Sequence, residues 1–232
     1  MILYTEPALS DIQPCPYLPG HDMVYEYFFA SELSPQELTW LLSQGWRTFG
    51  VYYFRPSCPH CQACTPLRVP VHDFTLSRSQ ARVWRKGADI VLTMGALRYD
   101  NALFDLYQRH SMARFAQCAQ VDDFLLQLHT PSCPSLLSRY ELAAHLVGAG
   151  YLDQAADGLS SVYFIFDPDY ARLSPGILSA LHEIAETRRL GLDYYYLGYV
   201  VPGCARMDYK ARFYPHELYS WSDKAWHTVL TP

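Results

Sequence analysis

The sequence predicts an α/β (α+β) fold, and three features of its second half carry that prediction. From residue 139 onward, "RYELAAHLV", "GAGYLDQAA" and "LSSVYFIFD" read as short strands separated by turn residues. The segment "GILSALHEIAETRRL" has apolar residues at helical spacing, follows Ser174 and Pro175, and ends at Gly191. The strand-like "DYYYLGYVV" comes directly after it. Strand, helix and strand in this order favour a parallel strand pair within a mixed sheet.

The first part of the chain is also predicted to combine helices and strands. Ser34 and Pro35 are suited to the N-cap and the first position of a helix, which Gly45 ends. "RTFGVYYF" and "LRVPVHDF" are predicted strands on either side of a cysteine-rich loop. Pro70 lies inside the second of them, so we expect an edge strand or a bulge there.

Two further helices are predicted over residues 100–116 and 120–129, before the strand-rich part. No obvious linker separates the two halves. The change of pattern nevertheless predicts a smaller N-terminal α/β domain over residues 1–95 and a second domain over residues 96–232.

Composition narrows the class of protein. The chain has 232 residues, of which 50% are hydrophobic and 18% charged, so we expect a folded rather than a disordered chain. The start carries no basic segment followed by an apolar one, and no apolar run has the length of a membrane helix. We expect a soluble cytoplasmic protein without a membrane partner. Seven cysteines, an odd number, argue against a disulfide framework in that compartment.

Basic residues are concentrated in one segment of an acidic protein. Residues 1–46 contain no Lys or Arg, whereas Arg78, Arg82, Arg85 and Lys86 lie within nine residues of each other. "LSRSQ" has the spacing of a capping box, so these residues are predicted on one helix. The three arginines then share one face and repel each other. This favours an anionic partner, although a solvated basic face is the alternative.

The stretch "RPSCPHCQACTPLRV" predicts either a metal site or a structural loop. Cys58, Cys61 and Cys64 have spacings typical of zinc or iron–sulfur ligation, and Cys15 is the candidate for a fourth ligand. Isolated cysteines are otherwise small buried apolar residues. A bound metal therefore remains one of two readings, and no cofactor is required by the rest of the sequence.

Two segments of the second half bear on substrate binding. Residues 159–199 resemble the strand–loop–helix–strand core of N-acyltransferases of the acetyl-CoA type, but Arg172 and Gly176 do not have the glycine spacing that binds the CoA pyrophosphate. Farther on, "DYKARFYP" is a predicted strand that places Lys210 and Arg212 on one face, where two cations can bind a carboxylate.

Taken together, several stretches resemble the aminoacyl-tRNA–protein transferases, and within them the bacterial aspartate/glutamate leucyltransferases. They are "CPYLPG", "LLSQGWRTFGVYYFRPSCPHCQACTPLRVPV", "FTLSRSQARVWRKGAD", "DGLSSVYFIFDPDYARLSPGILSALHEI" and "GLDYYYLGYVVPGCARMDYKARFYPHEL". The resemblance implies an acetyltransferase-like C-terminal fold. It also implies transfer of leucine from leucyl-tRNA to the α-amino group of proteins that begin with Asp or Glu, which marks them for degradation by the N-end rule.

The chain departs from the family's pattern at two places. It has Arg85-Lys86-Gly87 where the family often has Lys-Arg-Asn. In the turn before the last long helix it has Leu173-Ser174-Pro175-Gly176 where the family often has Ser-Leu-Gly-Thr. Leu18 stands where the eukaryotic arginyl branch has a second early cysteine, which bears on metal ligation.

Within that reading, candidate roles follow for individual residues. Arg78, Arg82, Arg85 and Lys86 would contact tRNA phosphates, and Arg78 is an alternative ligand of the acceptor's acidic side chain. Asp167, at a strand end, is the candidate for taking the amine proton. The other candidates are the hydroxyls of Tyr195 and Tyr209 for the developing charge, and a leucyl pocket walled by Phe164, Phe166 and Tyr196.

Two other functions remain open from the residues alone. One is a CoA-dependent N-acyltransferase, which performs the same class of reaction with a different donor. The other is a non-enzymatic, zinc-bearing RNA-binding module.

Overall fold

The structure is a computed structural model that describes residues 1–231. Its strands, in chain order, are β1 Ile2–Leu3, β2 Ala8–Leu9, β3 Gln13–Pro14, β4 Asp22–Met23, β5 Tyr25–Ser31, β6 Arg47–Phe49, β7 Tyr52–Pro56, β8 Thr65–Pro70, β9 Val91–Ala96, β10 Ser135–Leu142, β11 His145–Gln154, β12 Gly158–Phe166, β13 Tyr194–Val200, β14 His216–Ser220 and β15 Ala225–Val229. The helices are α1 Pro35–Ser43, α2 Arg78–Lys86, α3 Asn101–Phe115, α4 Val121–Leu128, α5 Pro175–Arg189 and α6 Ala205–Asp208, with 3₁₀ turns at Pro168–Leu173 and Tyr209–Arg212.

Most strands belong to one eight-stranded sheet with the order β15-β14-β8-β13-β12-β11-β10-β9. A smaller sheet has the order β1-β5-β7-β6, with β2 also paired to β5, and β3 pairs with β4. The α/β prediction is therefore confirmed. The proposed division after residue 95 falls inside β9, and both β8 and β9 are strands of the larger sheet.

Helices cover both faces of the larger sheet. Helix α5 packs against a core that includes Val69, Leu159 and Tyr195. The neighbouring residue, Tyr196, belongs instead to the core that holds α1. Because adjacent strand residues point to opposite faces, α5 and α1 lie on opposite sides of the sheet. Helices α3 and α4 pack on Leu137, Ala149, Tyr151 and Ile165 in a third apolar cluster.

The parallel pair β12–β13 opens after a short paired region. The two strands are in register only from Gly158 opposite Tyr194 to Ser160 opposite Tyr196. Beyond that point β12 continues to Phe166 and β13 to Val200 without pairing to each other. Strand β13 then pairs on its other side with β8, with a register irregularity between Tyr196 and Gly198. The separation of the two strands leaves room for a site between them, which is the acetyltransferase-like arrangement that the resemblance implies.

Several helix boundaries agree with the sequence. Ser34 and Ser77 cap α1 and α2, and both form capping boxes, with Glu37 and Gln80 respectively. Gly191 follows α5 with a φ of +73°, a conformation that glycine adopts without steric cost.

Other local predictions are wrong. "RTFGVYYF" and "RYELAAHLV" each contain a hairpin turn, at Gly50 and at Ala143–Ala144, where φ is positive. The edge-strand alternative for the segment with Pro70 is wrong, because β8 pairs with β13 on one side and with β14 on the other. The bulge alternative agrees with the register irregularity in the β8–β13 pairing. Pro70 is tolerated because it is the last residue of β8.

The predicted strand around Lys210 is also wrong. Residues 205–212 form α6 and a 3₁₀ turn, in which the N–H groups of Met207 and Asp208 bond to the Cys204 carbonyl. Lys210 and Arg212 therefore do not share a strand face.

Among residues 1–231, no helix is both long and apolar enough to cross a bilayer.

Candidate functional site

A cavity of about 780 Å³ occupies the space between the separated strands β12 and β13. Residues 161–164 and Phe166 of β12 form one wall, and residues 197–199 of β13 form another. The start of α5, the end of α3, the 205–210 segment and the β6–β7 hairpin complete the lining. The cavity thus brings together parts of the chain from both predicted domains.

Two half-buried cations lie inside this cavity, on its β13 side. Arg47, the first residue of β6, donates a hydrogen bond from Nη2 to the Ser161 carbonyl on β12. The ammonium of Lys210 lies near Gly198 of β13. Burial, reinforced by the positive charge of Arg47, lowers the pKa of Lys210 to about 7. Burial also lowers the pKa of Arg47. Lys210 was predicted as a substrate ligand, whereas Arg47 was not singled out from the sequence.

A buried carboxyl group lies beneath the α5 wall. Glu183 accepts hydrogen bonds from the hydroxyls of Tyr195, at 2.5 Å, Ser138, at 2.9 Å, and Tyr140, at 3.3 Å. Burial raises its pKa to about 7. Gly150 provides the space for it, since a Cβ there would overlap a Glu183 oxygen. The sequence analysis did not single out Glu183. A glutamate in an amphipathic helix gives no sequence signal that distinguishes a buried carboxyl group from an exposed one.

Five of the predicted site residues line the cavity. They are Phe164, Phe166, Tyr195, Tyr209 and Lys210. The hydroxyl of Tyr195 is already bonded to Glu183, so it reaches a ligand only if that bond is shared or broken. Burial raises the pKa of the Tyr209 hydroxyl, which keeps it protonated and able to donate.

Asp167 is not among the lining residues. Its carboxylate accepts a hydrogen bond from the Asp169 N–H at the start of the 3₁₀ turn, and a second from Arg109 at 3.1 Å. This is the turn-forming role that an Asp before Pro168 commonly has. The geometry gives no support to its assignment as proton acceptor.

Tyr196 lies on the other face of the sheet. Its hydroxyl donates to Asp157 at 2.7 Å, and its ring belongs to the core around α1. A place for Tyr196 in the wall of a leucyl pocket is therefore not supported.

His110, which the sequence analysis did not single out, lies in the cavity lining. Its Nδ1 accepts a hydrogen bond from the Phe166 N–H.

The basic face of α2 is outside the cavity but close to one of its walls. Arg78, Arg82, Arg85 and Lys86 are all exposed, and in the described residues none of them forms a salt bridge. Helix α2 packs against α5 through Gly87 and Leu178. It also bonds to the Arg212 carbonyl through Gln80 Nε2, at 3.1 Å. The term basic face refers below to Arg78, Arg82, Arg85 and Lys86 together.

Four cysteines gather around a second, small enclosed cavity next to the first. They are Cys15, Cys58, Cys61 and Cys64. Tyr17 lines both this space and the large cavity. Burial raises the pKa of the Cys64 thiol to about 12. Within residues 1–231, however, no three His, Cys, Asp or Glu side chains are arranged to hold a metal ion. Zinc or iron–sulfur binding stays a prediction, and the metal content of purified protein is its test.

The chain matches two family profiles that together cover most of its length. The one described as "Arginine-tRNA-protein transferase, N terminus" matches residues 13–82. The one described as "Arginine-tRNA-protein transferase, C terminus" matches residues 100–220.

Curated relatives are similar over nearly the whole chain. The aspartate/glutamate leucyltransferase of Alkalilimnicola ehrlichii is 38% identical over 224 residues, which is 93% of this chain and 92% of that protein. The aspartate/glutamate leucyltransferase of Chromobacterium violaceum is 33% identical over 210 residues, covering 88% of this chain and 87% of that one.

Similarity to solved structures is weaker. The structure of L-PGS from Bacillus licheniformis aligns with a TM-score of 0.49 at 9% identity, over 75% of this chain and 52% of that one. The crystal structure of FemX aligns with a TM-score of 0.47 at 10% identity, over 72% and 60%. Scores of this size carry no argument about the fold, which stands on the strand order described above.

Proposed function

The chain belongs to the arginine-tRNA-protein transferase family of aminoacyltransferases, and on that premise we propose that it transfers leucine from leucyl-tRNA to the α-amino group of proteins that begin with Asp or Glu. The choice of leucine and of acidic acceptors is supported by the names of the relatives that align with almost the whole chain. The product would be marked for degradation, and the protein would work in the cytoplasm.

The observation that carries this proposal is the cavity between β12 and β13. It is large enough for the ester end of a charged tRNA and the first residue of an acceptor to meet. Its wall on the β12 side is rich in aromatic rings, including Tyr163, Phe164 and Phe166, and suits an apolar side chain such as that of leucine. Its β13 side carries Arg47 and Lys210, which suit an anionic group.

The reaction is aminolysis of an activated ester. The acceptor's amine nitrogen forms a bond to the leucyl carbonyl carbon, and the bond from that carbon to the ribose oxygen breaks. One amine proton goes to this leaving ribose oxygen, which becomes a hydroxyl. An α-amino group has a pKa of roughly 7.7–8.0, so a useful fraction is neutral near pH 7. Holding amine and ester together can supply up to roughly 7–11 kcal/mol of the acceleration.

Backbone groups of the separated strands are available to hold the two substrates. Past Ser160 and Tyr196, the facing edges of β12 and β13 have no ladder bonds to each other. A protein terminus in extended conformation can bond to such an edge. Tyr209 lines the cavity, and we assign its hydroxyl to donate to the charge that develops on the carbonyl oxygen.

The basic face of α2 is the proposed contact for the tRNA backbone. Arginine makes planar two-point contacts with phosphate, and the basic face lies beside the α5 wall of the cavity. A tRNA that rests on α2 can direct its 3′ end over the start of α5 into the cavity. The proposal therefore assigns the phosphates to an exposed surface and the ester to an enclosed one.

The direct test is transfer of radiolabelled leucine from charged tRNA to matched peptides. One peptide begins with Asp and its control begins with Ala, with the same residues after the first. We expect labelling of the Asp peptide and little labelling of the Ala peptide. Equal labelling of both would remove the acidic-acceptor claim, and transfer from acetyl-CoA without transfer from leucyl-tRNA would replace the proposed donor.

A further inference from the structure

The cations Arg47 and Lys210 converge on one point of the large cavity. A Cβ placed on Gly198 would lie 3.2 Å from Lys210 Nζ and 3.8 Å from Arg47 Nη2. Gly198 has a φ of +86° and follows the register irregularity of β13, so both its conformation and its missing side chain fit glycine. The strand is thus shaped to leave space in front of the two charges.

Neither cation has an anionic partner in the part of the chain that the structure describes. Arg47 donates only to a backbone carbonyl, that of Ser161. Asp153 attracts Arg47 electrostatically but forms no salt bridge with it. Its carboxylate instead accepts a bond from Ser135 at 2.8 Å, and burial raises its pKa to about 6. Two neighbouring positive charges in a cavity, with no carboxylate in salt-bridge contact among the described residues, are costly unless an anion binds between them.

A small carboxylate fits this position better than a backbone phosphate. The pair is enclosed within the cavity, whereas four exposed cations on α2 are already suited to the RNA backbone. Tyr199 also lines the cavity, and its hydroxyl donates to the Gly45 carbonyl at 2.8 Å. An Asp or Glu side chain brings one charge on a short stem, and an arginine beside an ammonium can bond both of its oxygens.

We propose that Arg47 and Lys210 together bind the side-chain carboxylate of the acceptor's first residue and so set the preference for acidic N-termini. This inference rests on the proposed function and names the part of the cavity that reads the acceptor. For binding of the acceptor's carboxylate, this pair replaces two candidates from the sequence analysis. One is Arg78, which is exposed on α2, and the other is Lys210 paired with Arg212. The lowered pKa of Lys210 is consistent with an ammonium that has no anion beside it until the acceptor binds.

The test compares Lys210→Met with the wild type on peptides that begin with Asp and with Asn. Asn has nearly the shape of Asp without its charge, so the ratio of kcat/KM for the two peptides reports recognition of the carboxylate. We expect Lys210→Met to lower kcat/KM for the Asp peptide by about 30-fold or more, because an enclosed charge partner is lost. The value for the Asn peptide should change little. Lys224→Met, an exposed Lys→Met change at a residue without side-chain partners among those described, is the matched control.

Lys210→Arg separates charge from packing. It should retain most of the preference for Asp, and a loss as large as that of Lys210→Met would overturn the inference. An equal fall for Asp and Asn peptides in Lys210→Met would also overturn it, since Lys210 would then act on the shared chemistry or on the donor.

Peptide binding without tRNA keeps this inference distinct from the proposed function. The wild type should bind a fluorescent Asp peptide more tightly than the Asn peptide, and Lys210→Met should remove the difference. If the two peptides bind equally to the wild type, the pair is not the acceptor site, even where leucine transfer is observed. If Asp binding behaves as expected but no charged tRNA donates, the proposed function fails and the site assignment stands. Weaker tRNA binding by Lys210→Met, with peptide binding unchanged, would assign the pair to a phosphate and overturn the inference.

Discussion

The molecule carries two groups of cations whose surroundings differ sharply. The basic face of α2 has four charged side chains in water on one helix. The pair Arg47 and Lys210 comes from β6 and from the turn after α6, and it is enclosed between strands. An exposed charge is screened by salt and contributes modestly on its own, whereas an enclosed one acts strongly on a nearby ligand. The surroundings of these charges therefore determine substrate specificity more than their number does.

The comparison also bears on what each group can recognise. Contacts from exposed arginines to phosphates provide affinity and depend on salt, but they do not distinguish one acceptor protein from another. An enclosed pair rejects an acceptor that leaves its charges unpaired, and this discriminates between side chains of the same shape. We expect the basic face to govern tRNA affinity and the enclosed pair to govern acceptor choice.

The largest effect is expected from Arg47→Met. The change removes an enclosed charge and the bond that joins β6 to the Ser161 carbonyl of β12. We expect kcat/KM for an Asp-starting peptide to fall about 100-fold, the order found when one partner of an enclosed charge pair is removed. The dissociation constant for tRNA should stay within about twofold, as measured by filter binding.

Arg47→Lys provides the control for that experiment. It keeps a positive charge but loses the planar guanidinium, so it should recover part of the activity. If Arg47→Met weakened tRNA binding as much as it lowered acceptor turnover, the two groups of cations would not have separate roles.

A smaller effect, and one that depends on salt, is expected from replacing Arg78, Arg82 and Arg85 together by Ala. Each lost phosphate contact should make the plot of log affinity against log salt concentration shallower by about 0.7–0.9, so three contacts should change the slope by about 2 to 3. The ratio of Asp to Asn acceptor turnover should not change. Arg98→Ala removes an exposed arginine outside α2 and serves as the control. A triple variant with the wild-type slope would show that the tRNA lies elsewhere.

The smallest effect is on stability and concerns Lys210 alone. Burial lowers its pKa in the folded protein to about 7, from 10.5. Between those two values the unfolded chain holds a proton that the folded chain has released, so stability rises with pH across that window. The cost of Lys210 is complete below pH 7 and is gone above pH 10.5. We expect Lys210→Met to raise the Tm by a few degrees at pH 6, with a gain that shrinks as the pH approaches 10.

Calorimetry or circular dichroism at pH 6, 8 and 10 measures that trend. Lys224→Met should show no pH-dependent gain, because Lys224 is exposed. A gain for Lys210→Met that stays constant from pH 6 to 10 would mean that the ammonium is not enclosed as the structure describes.

Much of the local structure was predictable, because the interactions that decide it join residues close together in the chain. The Ser77 and Gln80 capping box and the glycine that ends α5 are both present. Each depends on a side chain and a backbone group only a few positions apart. The resemblance to a known family was also carried by short quoted stretches, and the family profiles agree with it.

The candidate site was predicted only in part, and two tyrosines show why. Tyr195 and Tyr196 are neighbours in one strand, and the sequence offers no way to choose which of them faces the cavity. The structure places the first against Glu183 in the cavity wall and the second beside Asp157 on the opposite face. Strand alternation fixes that the two differ, but the packing of α5 and α1 decides which is which.

The sequence by itself determined the α/β class, the ends of several helices, the basic face of α2 and the membership of the family. Each of these rests on patterns within a short window, or on stretches that keep their order along the chain. Only the tertiary structure decided that β8 is interior, that β12 and β13 separate, and that Arg47 meets Lys210 in front of Gly198. Burial is the physical reason: the environment of a charge depends on which distant segments pack around it, and a local sequence window does not contain those segments.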